Sequence, residues 1–560
     1  MKATLLAVLL VMFLVASTAV AQPAELDPRA VAVAQLAGWD VAVKDNTAQP
    51  DPTAAELVGN GVRKQLTPTI AHYQFDVRFG PGEYDVFRLH RVVKENRPNR
   101  PIRTAKNLFL QHGCCVGFVK FVFGAETPHL PDDFGIAVYL AEAGIDVWGI
   151  DQPWVFVPED ETDFSFSADW GTEFSVDRIQ EGLAISRAVR FLTGSGFGKM
   201  NLLGYSFGGY LGYALLDEET QRPAWARNVA GYICADSFYK FDRSQFEEQR
   251  LAVCSFYPVY QSLYDAGVYN GLFEPTFPTI GQLADDHPDD PSPYAPGLTN
   301  LQFALVSAAD PFPAFSPWFH YWAGVYDDAT GLPVDLAYTP LPAALDFFQQ
   351  GFPFEPLVGS LEQIVVWCDD DDSPFDDHVG EIDVPVLYFG AAGGFGEAGF
   401  HTLDLLASTD KTIVNISVEP PLETDFAHID LFTGEDAPDI AWPFVRNWIR
   451  SHSGHGEMIS SLESAPAPDG LRVSPNPGRS GDHYRFSFEM PTTGEASAAI
   501  YDVTGRRVAS LVAARLPAGR QEIVWDARAT DGSRIADGVY FARVDTPQGA
   551  RTARFVHLRQ

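Results

Sequence analysis

The sequence predicts an α/β fold: a doubly wound, mostly parallel sheet carrying a large helical cap insert, followed by an all-β sandwich. Three observations predict it. Between about residues 71 and 452, apolar strand-like runs alternate with amphipathic helical runs, the pattern of a parallel sheet with helices on both faces. Almost 150 residues separate the strand ending near Asp236 from the next, beginning near Val384, and that insert is too long and too apolar for a loop. From about residue 471, short alternating segments separated by Gly/Asp turns replace the helical period, as in an antiparallel sandwich.

The elements follow in order. Residues 1–21 contain Lys2, an apolar run from about Leu5 to Val15, and the small-x-small triplet Ala19-Val20-Ala21. This reads as a signal peptide cut after Ala21, because the apolar run is short for a membrane span. No other stretch is long and apolar enough to cross a bilayer. Residues 22–70 are rich in Ala, Pro and Asp with weak periodicity, and read as a wrapping N-terminal arm. The core covers residues 71–242 and 381–452. "AHYQFDVRFG" and "YDVFRLHRVV" alternate around "GPGE" as a hairpin. "KNLFLQHG" is a buried strand, "DFGIAVYLAEAG" a helix closed by Gly144, and "IDVWGID" a strand. "SVDRIQEGLAISRAVRFLTGSG" is an amphipathic helix with glycines at its end. "MNLLG", "NVAGYICAD", "VPVLYFG" and "TIVNISVE" supply further strands.

The cap insert spans residues 243–380 and is dense in Phe, Tyr, Trp and Pro. An independent domain is the alternative reading of it. It closes with "WCDDDDSPFDDH", whose carboxylates could bind calcium, but the spacing fits no calcium loop and a solvated acidic loop is the better reading. Residues 453–470 form a polar linker, and residues 471–560 the sandwich. From Pro468 onward there is no lysine, and 13 arginines stand against 10 acidic residues. The whole chain carries a formal net charge of −35. That argues against a nucleic-acid partner, which would need cationic side chains to neutralise phosphate, and against anionic membrane surfaces.

Five cysteines, at 114, 115, 234, 254 and 368, leave at least one thiol unpaired. A bond between adjacent Cys114 and Cys115 would be strained, Cys234 reads as a small buried thiol, and no spacing resembles a zinc site. No metal or cofactor is expected.

The chemistry centres on Gly204-Tyr205-Ser206-Phe207-Gly208. Gly-x-Ser-x-Gly alone is weak, but here a buried strand precedes it and a helix follows, which is the setting of a nucleophile elbow. The tight turn needs glycines and lifts the hydroxyl above the sheet edge. A serine hydroxyl needs a base to take its proton. His428, in "ETDFAHIDLFTG" after the last strand of the core, is placed to swing over that edge. His401, His378 and His112 are alternatives, with His112 better read as structuring its own turn. An oxyanion hole needs two backbone donors: the N–H groups of Phe207 and Cys114, with Cys115 as runner-up.

The motifs "LFLQHGCCVG", "LAEAGIDVWGIDQP", "LLGYSFGG" and "FAHIDLFTG" resemble, in the same order, those of lipase- and esterase-like α/β-hydrolases. The resemblance covers about Lys106 to His452 without the insert. It implies Ser206 as nucleophile, His428 as base, and Cys114 and Phe207 as oxyanion donors. The sequence departs from the family at the acid. Where the family often carries Asp after the strand "VPVLYFG", this chain has "AAGGFGEAG", with Glu397 the only carboxylate nearby. The end of the preceding strand supplies Asp236, which is favoured because a strand end is rigid. The tail, through "VSPNPG", "AAIYDVTGRRVASL" and "VWDARATDGSRIADGVYFARV", resembles the type A sorting domain of the type IX secretion system and the Ig-like domain of flagellar hook-capping proteins.

Together these readings imply a secreted or cell-surface serine hydrolase cleaving an apolar or aryl carboxylic ester. Its C-terminal domain would engage secretion machinery. A peptidase or amidase of the same fold, or a non-catalytic surface binding protein on that scaffold, are the alternatives.

Overall fold

The computed structural model describes residues 27–39, 57–453 and 471–558, apart from residues 272–274, 354, 419–420 and short turns between 475 and 548. The signal-peptide reading, part of the arm and the linker fall outside the described residues. The chain divides into two compact units, residues 1–457 and 458–560.

The first unit is built on one sheet. Its main strands are β1 (Val58–Gln65), β2 (Ile70–Arg78), β3 (Val86–Arg97), β4 (Asn107–Gln111), β5 (Asp146–Asp151), β6 (Met200–Tyr205), β7 (Val229–Ala235), β8 (Val386–Ala391) and β9 (Lys411–Ile416). Their spatial order is β1-β2-β3-β5-β4-β6-β7-β8-β9. The first three strands are antiparallel, β3 meets β5 antiparallel, and β5 through β9 are parallel. Every residue of β4 through β8 is buried except Ala230 in β7. Such strands carry apolar side chains on both faces because helices cover both. Leu108, Leu110, Leu203, Ile233 and Phe389 face one layer. Phe109, Leu202, Tyr232 and Tyr388 face the other.

The N-terminal arm is more structured than its weak periodicity implies. Pro28–Leu36 is a helix, opened by Asp27, whose carboxylate accepts from the Arg29 N–H at 2.8 Å. β1 adds an edge strand to the sheet. Edge strands pair through backbone on one side only, so "VGNGVRKQ" needs no buried alternation.

The cap is helical, as expected. It comprises helices Glu247–Cys254, Tyr257–Asp265, Phe277–Asp286, Asn300–Ala309, Leu341–Gln349 and Leu357–Cys368, with a short hairpin of Gly324–Tyr326 and Pro333–Leu336. It packs into the core rather than apart from it. Trp322, Phe347 and Phe348 belong to the same buried layer as Leu110 and Phe389. A second aromatic cluster joins Phe315, Trp318, Phe319 and Trp367 of the cap to Phe238 and Phe395 of the core. A Cys254–Cys368 disulfide ties the first cap helix to the last. The acidic segment that closes the cap is ion-paired: Asp369 and Asp376 with Lys240, and Asp370 with Arg250.

The second unit is a β-sandwich. Strands Arg472–Ser474, Tyr484–Met490 and Gly519–Trp525 form one sheet. Strands Gly478–Arg479, Gly494–Asp502, Arg507–Leu516, Gly538–Thr546 and Gly549–Leu558 form the other. Tyr484, Phe486 and Trp525 of the first pack with Ile500, Tyr540 and Phe555 of the second. No helix among the described residues is long and apolar enough to cross a membrane.

Candidate active site

Sheet register brings the motif residues together. Gln111 pairs with Gly204, Tyr205 with Ala235, and Ala235 with Phe389. β4, β6, β7 and β8 therefore end side by side, and the residues after them share one edge: the turn 112–115, Ser206, Asp236 and the loop 392–395.

Ser206 sits on a strained turn between β6 and the helix Phe207–Gln221, with φ 56° and ψ −124°. Non-glycine residues rarely adopt positive φ, and such strain persists only where surrounding structure enforces it. The enforcement comes from close packing by glycines. A Cβ on Gly204 would stand 2.1 Å from the Gly208 carbonyl oxygen. One on Gly113 would stand 2.6 Å from the Ser206 Cβ. Backbone thus approaches the serine from both sides, and its side chain stays partly exposed. This strand–elbow–helix on a mixed sheet of that order settles the architecture. The core has the α/β-hydrolase fold.

His428 lies over the same edge and is 2% exposed. Its Nδ1 is 2.6 Å from Asp236 Oδ2. Tyr205, next to Ser206, stacks on its ring at 4.6 Å and donates its hydroxyl to the His428 carbonyl at 3.2 Å. Phe319 and Phe395 enclose the ring. Burial lowers the imidazole pKa below the ordinary histidine value, while the hydrogen bond to Asp236 opposes that shift.

Asp236 is fully buried, at the end of β7, with φ 42°. Its Oδ1 accepts from the Ala391 N–H at 3.0 Å, and its Oδ2 accepts from the Phe395 N–H at 3.1 Å as well as facing His428. Three hydrogen-bond partners on one carboxylate fix its position. Room for it comes from Gly394, where a Cβ would fall 2.1 Å from Oδ2. One glycine of "AAGGFGEAG", Gly394, thus makes room for a carboxylate from the neighbouring strand. Glu397, in the same loop, is exposed, and no hydrogen bond joins it to His428.

Among the described residues, the N–H groups of Cys114 and Phe207 have no hydrogen-bond partner. The Cys115 N–H does: it donates to Glu355 Oε1 of the cap at 3.2 Å. The runner-up donor is therefore occupied, and the favoured pair is open. His112 structures its turn, with Nδ1 2.7 Å from the Gly113 carbonyl oxygen and Nε2 accepting from the Gln152 N–H at 3.1 Å. His378 pairs with Glu381, and His401 lines a different cleft, beside Lys240 and Asp242.

The sequence did not single out two cap segments that reach this edge. The Cys115 carbonyl accepts from the Phe352 N–H at 2.8 Å, beside Glu355. The His320 and Tyr321 carbonyls accept from the His428 and Ile429 N–H groups at 3.3 and 2.7 Å. Lys120 is also buried here, 4.7 Å above the Tyr205 ring. Nothing in local spacing points to these residues, because the contacts join residues from 85 positions apart (Lys120 and Tyr205) to 240 apart (Cys115 and Glu355).

Residues 478–549 match the family model of the FlgD Ig-like domain. No curated protein matches the chain. Among solved structures, the chain is similar to a Sulfolobus solfataricus protein whose description proposes a lipase. The two are 19% identical, over 70% of this chain and 99% of that one, with a TM-score of 0.46. It is also similar to a soluble variant of the Saccharomyces cerevisiae monoglyceride lipase, solved with a substrate analog. There the identity is 10%, over 74% of this chain and 99% of that one, with a TM-score of 0.32. A third similarity is to PorZ, a surface component of the type IX secretion system of Porphyromonas gingivalis. It is 30% identical over 19% of this chain and 13% of that one, with a TM-score of 0.14.

Proposed function

We propose that the protein is a serine hydrolase acting on a carboxylic ester through an acyl-enzyme on Ser206. One observation carries the reading: a buried, hydrogen-bonded His428–Asp236 pair stands at the edge where a strained elbow presents Ser206. His428 takes the serine proton as Oγ attacks the ester carbonyl. The Cys114 and Phe207 N–H groups receive the oxyanion. His428 then protonates the departing alcohol, and water releases the acid by the reverse steps. Asp236 fixes the imidazole tautomer and stabilises the imidazolium. The mechanism requires no metal or cofactor. The aromatic cap favours an apolar or aryl group on the substrate.

The same reading places the protein outside the cytoplasm. Its support is the leader-like residues 1–21, the FlgD Ig-like domain at residues 478–549, and the tail's resemblance to a sorting domain. The C-terminal unit would serve export or surface attachment and take no part in catalysis.

The test is direct. A fluorophosphonate probe should label wild-type protein and fail to label Ser206→Ala. That variant should lose p-nitrophenyl ester hydrolysis by on the order of 10⁶-fold in kcat. Unlabelled wild type would favour a binding protein on this scaffold. Faster turnover of amides than of matched esters would favour a peptidase or amidase.

A further inference from the structure

The oxyanion turn carries two thiols that the proposed chemistry leaves unused. Cys114 is half-exposed and Cys115 is buried, with φ 72°. Both thiols are free, since the disulfide joins Cys254 to Cys368. Glu355 reaches them from the cap and is buried. The two Sγ atoms and a Glu355 carboxylate oxygen all lie within 4.8 Å of one another. Ligands on one tetrahedral zinc ion stand about 3.5–3.8 Å apart, given metal–sulfur and metal–oxygen distances of about 2.3 and 2.1 Å. Side-chain shifts of about 1 Å would close the set. Among the described residues this is the one group of three metal-ligating side chains so arranged.

We propose that Cys114, Cys115 and Glu355 form a site for a thiophilic divalent cation of the Zn²⁺ class, and that filling it blocks the oxyanion turn. Two thiolates and a carboxylate are ligands that zinc accepts, and a set of three leaves a fourth position for water. The half-exposed Cys114 gives access from solvent. Each ion bound releases two thiol protons to the medium as the sulfurs become thiolates.

Other groups facing the cluster sharpen the selectivity. Lys120 is buried beside it, with its Nζ 3.5 Å from the Cys114 carbonyl oxygen, and Tyr205 and Tyr321 complete the surroundings. A fixed ammonium opposes a hard cation held by charge alone. An ion bonded to two thiolates overcomes it.

The consequence for catalysis rests on the proposed hydrolase reading. The Cys115 N–H is held by Glu355 Oε1. When Glu355 turns to the ion, that N–H loses its acceptor and the Cys114 peptide shifts with it. The Cys114 N–H, the proposed oxyanion donor, then leaves its position.

The experiment titrates reduced full-length protein with Cd²⁺ and follows the sulfur-to-cadmium charge-transfer band. One ion per chain is expected, with the band lost in Cys114→Ser and in Cys115→Ser and kept in Cys234→Ser. Glu355→Gln should weaken binding by about tenfold or more, at least the loss seen on removing partners outside a metal's own ligands. Zn²⁺ should displace Cd²⁺ in competition. Near-ultraviolet circular dichroism checks each variant's fold; if Cys115→Ser does not fold, Cys114→Ser and Glu355→Gln decide. No band in wild type, or a band surviving in folded Cys114→Ser, overturns the site. Fluorophosphonate labelling of Ser206 should slow in proportion to occupancy. Unchanged labelling at full occupancy overturns the blocking effect. Absence of labelling without metal would refute the hydrolase reading, and the band alone would then decide the site.

Discussion

Replacing Asp236 by Asn tests the centre of the proposed mechanism. The carboxylate takes three donors: the Ala391 N–H on Oδ1, and the Phe395 N–H and His428 on Oδ2. An amide offers one oxygen and one NH₂, so one backbone N–H must face another donor in either orientation. With its oxygen toward His428, the amide opposes Ala391. With its NH₂ toward His428, it opposes Phe395 and forces Nδ1 to accept. The proton then sits on Nε2, where it cannot take the serine proton. Stability should fall by about 1–3 kcal/mol for the buried N–H left unmatched. The backbone adds nothing, because Asn tolerates the positive φ at this position as Asp does. The wrong tautomer should cost about 10⁴-fold in kcat, or about 5.4 kcal/mol of barrier. Initial rates on a soluble p-nitrophenyl ester measure it, with thermal unfolding as control. Glu397→Gln should change kcat less than tenfold, since that side chain is exposed. Folded Asp236→Asn with kcat within tenfold of wild type would refute the assignment.

Further outcomes follow from the same geometry. Gly394→Ala would push a methyl to 2.1 Å from Asp236 Oδ2; kcat should fall by about 10²-fold or more, the scale of a 1 Å misplacement, with the fluorophosphonate labelling rate as readout. Because burial lowers the His428 pKa, the neutral base should persist into acid, and the acid limb of kcat/KM should fall below the ordinary histidine value of about 6.5; a limb above it would contradict the burial. Cys254 and Cys368 close a loop with a sequence separation of 114, so the double Ser variant should lose about 2–4 kcal/mol in urea unfolding. Asp430 is fully buried, with its pKa pushed up to about 7 by desolvation. Between the unfolded value of 3.8 and about 7 the unfolded chain gives up its proton first. Rising pH therefore removes stability across that window, by roughly 4 kcal/mol at most. Asp430→Asn should flatten the slope of unfolding free energy against pH there.

How much of this was legible in the sequence depends on how local each signal is. The elbow could be read because a buried strand, paired glycines and a helix adjoin within about twenty residues. His428 could be placed by its position after the last strand. Asp236 could be favoured over Glu397 from its strand-end position, but how it is held needed the third dimension: only sheet register sets the end of β7 beside "AAGGFGEAG", and only the fold shows that Gly394 leaves space for a carboxylate from another strand. The helix Pro28–Leu36 carried an Asp27-Pro28 start signal inside a stretch too irregular to draw notice. β1 was hidden because "VGNGVRKQ" is rich in Gly, Asn and Lys, which are poor strand formers, and pairing at an edge is backbone work. The Cys254–Cys368 pairing and the approach of Glu355 to Cys115 are long-range contacts that no local period encodes.

The cap's hydrogen bonds tie the insert to the loops that carry the proposed catalytic residues, rather than leaving it a cover. Two of its segments bind the two loops that the proposed mechanism needs fixed. The His320 and Tyr321 carbonyls hold the backbone of His428 and Ile429, while the His320 N–H donates to Gly393 at 2.8 Å. The backbone at Phe352 and the carboxylate of Glu355 hold Cys115. Ala391, Gly394 and Phe395 in turn enclose the Asp236 carboxylate. Removing the cap would leave the buried donors of the histidine loop and the carbonyl of the oxyanion turn without partners, and open both loops to the conformational freedom that a fixed geometry must exclude. Changes at residues 320–323, Phe352 or Glu355 should therefore lower kcat. Changes on cap helices remote from these stitches can alter only how substrate is held, and should move KM.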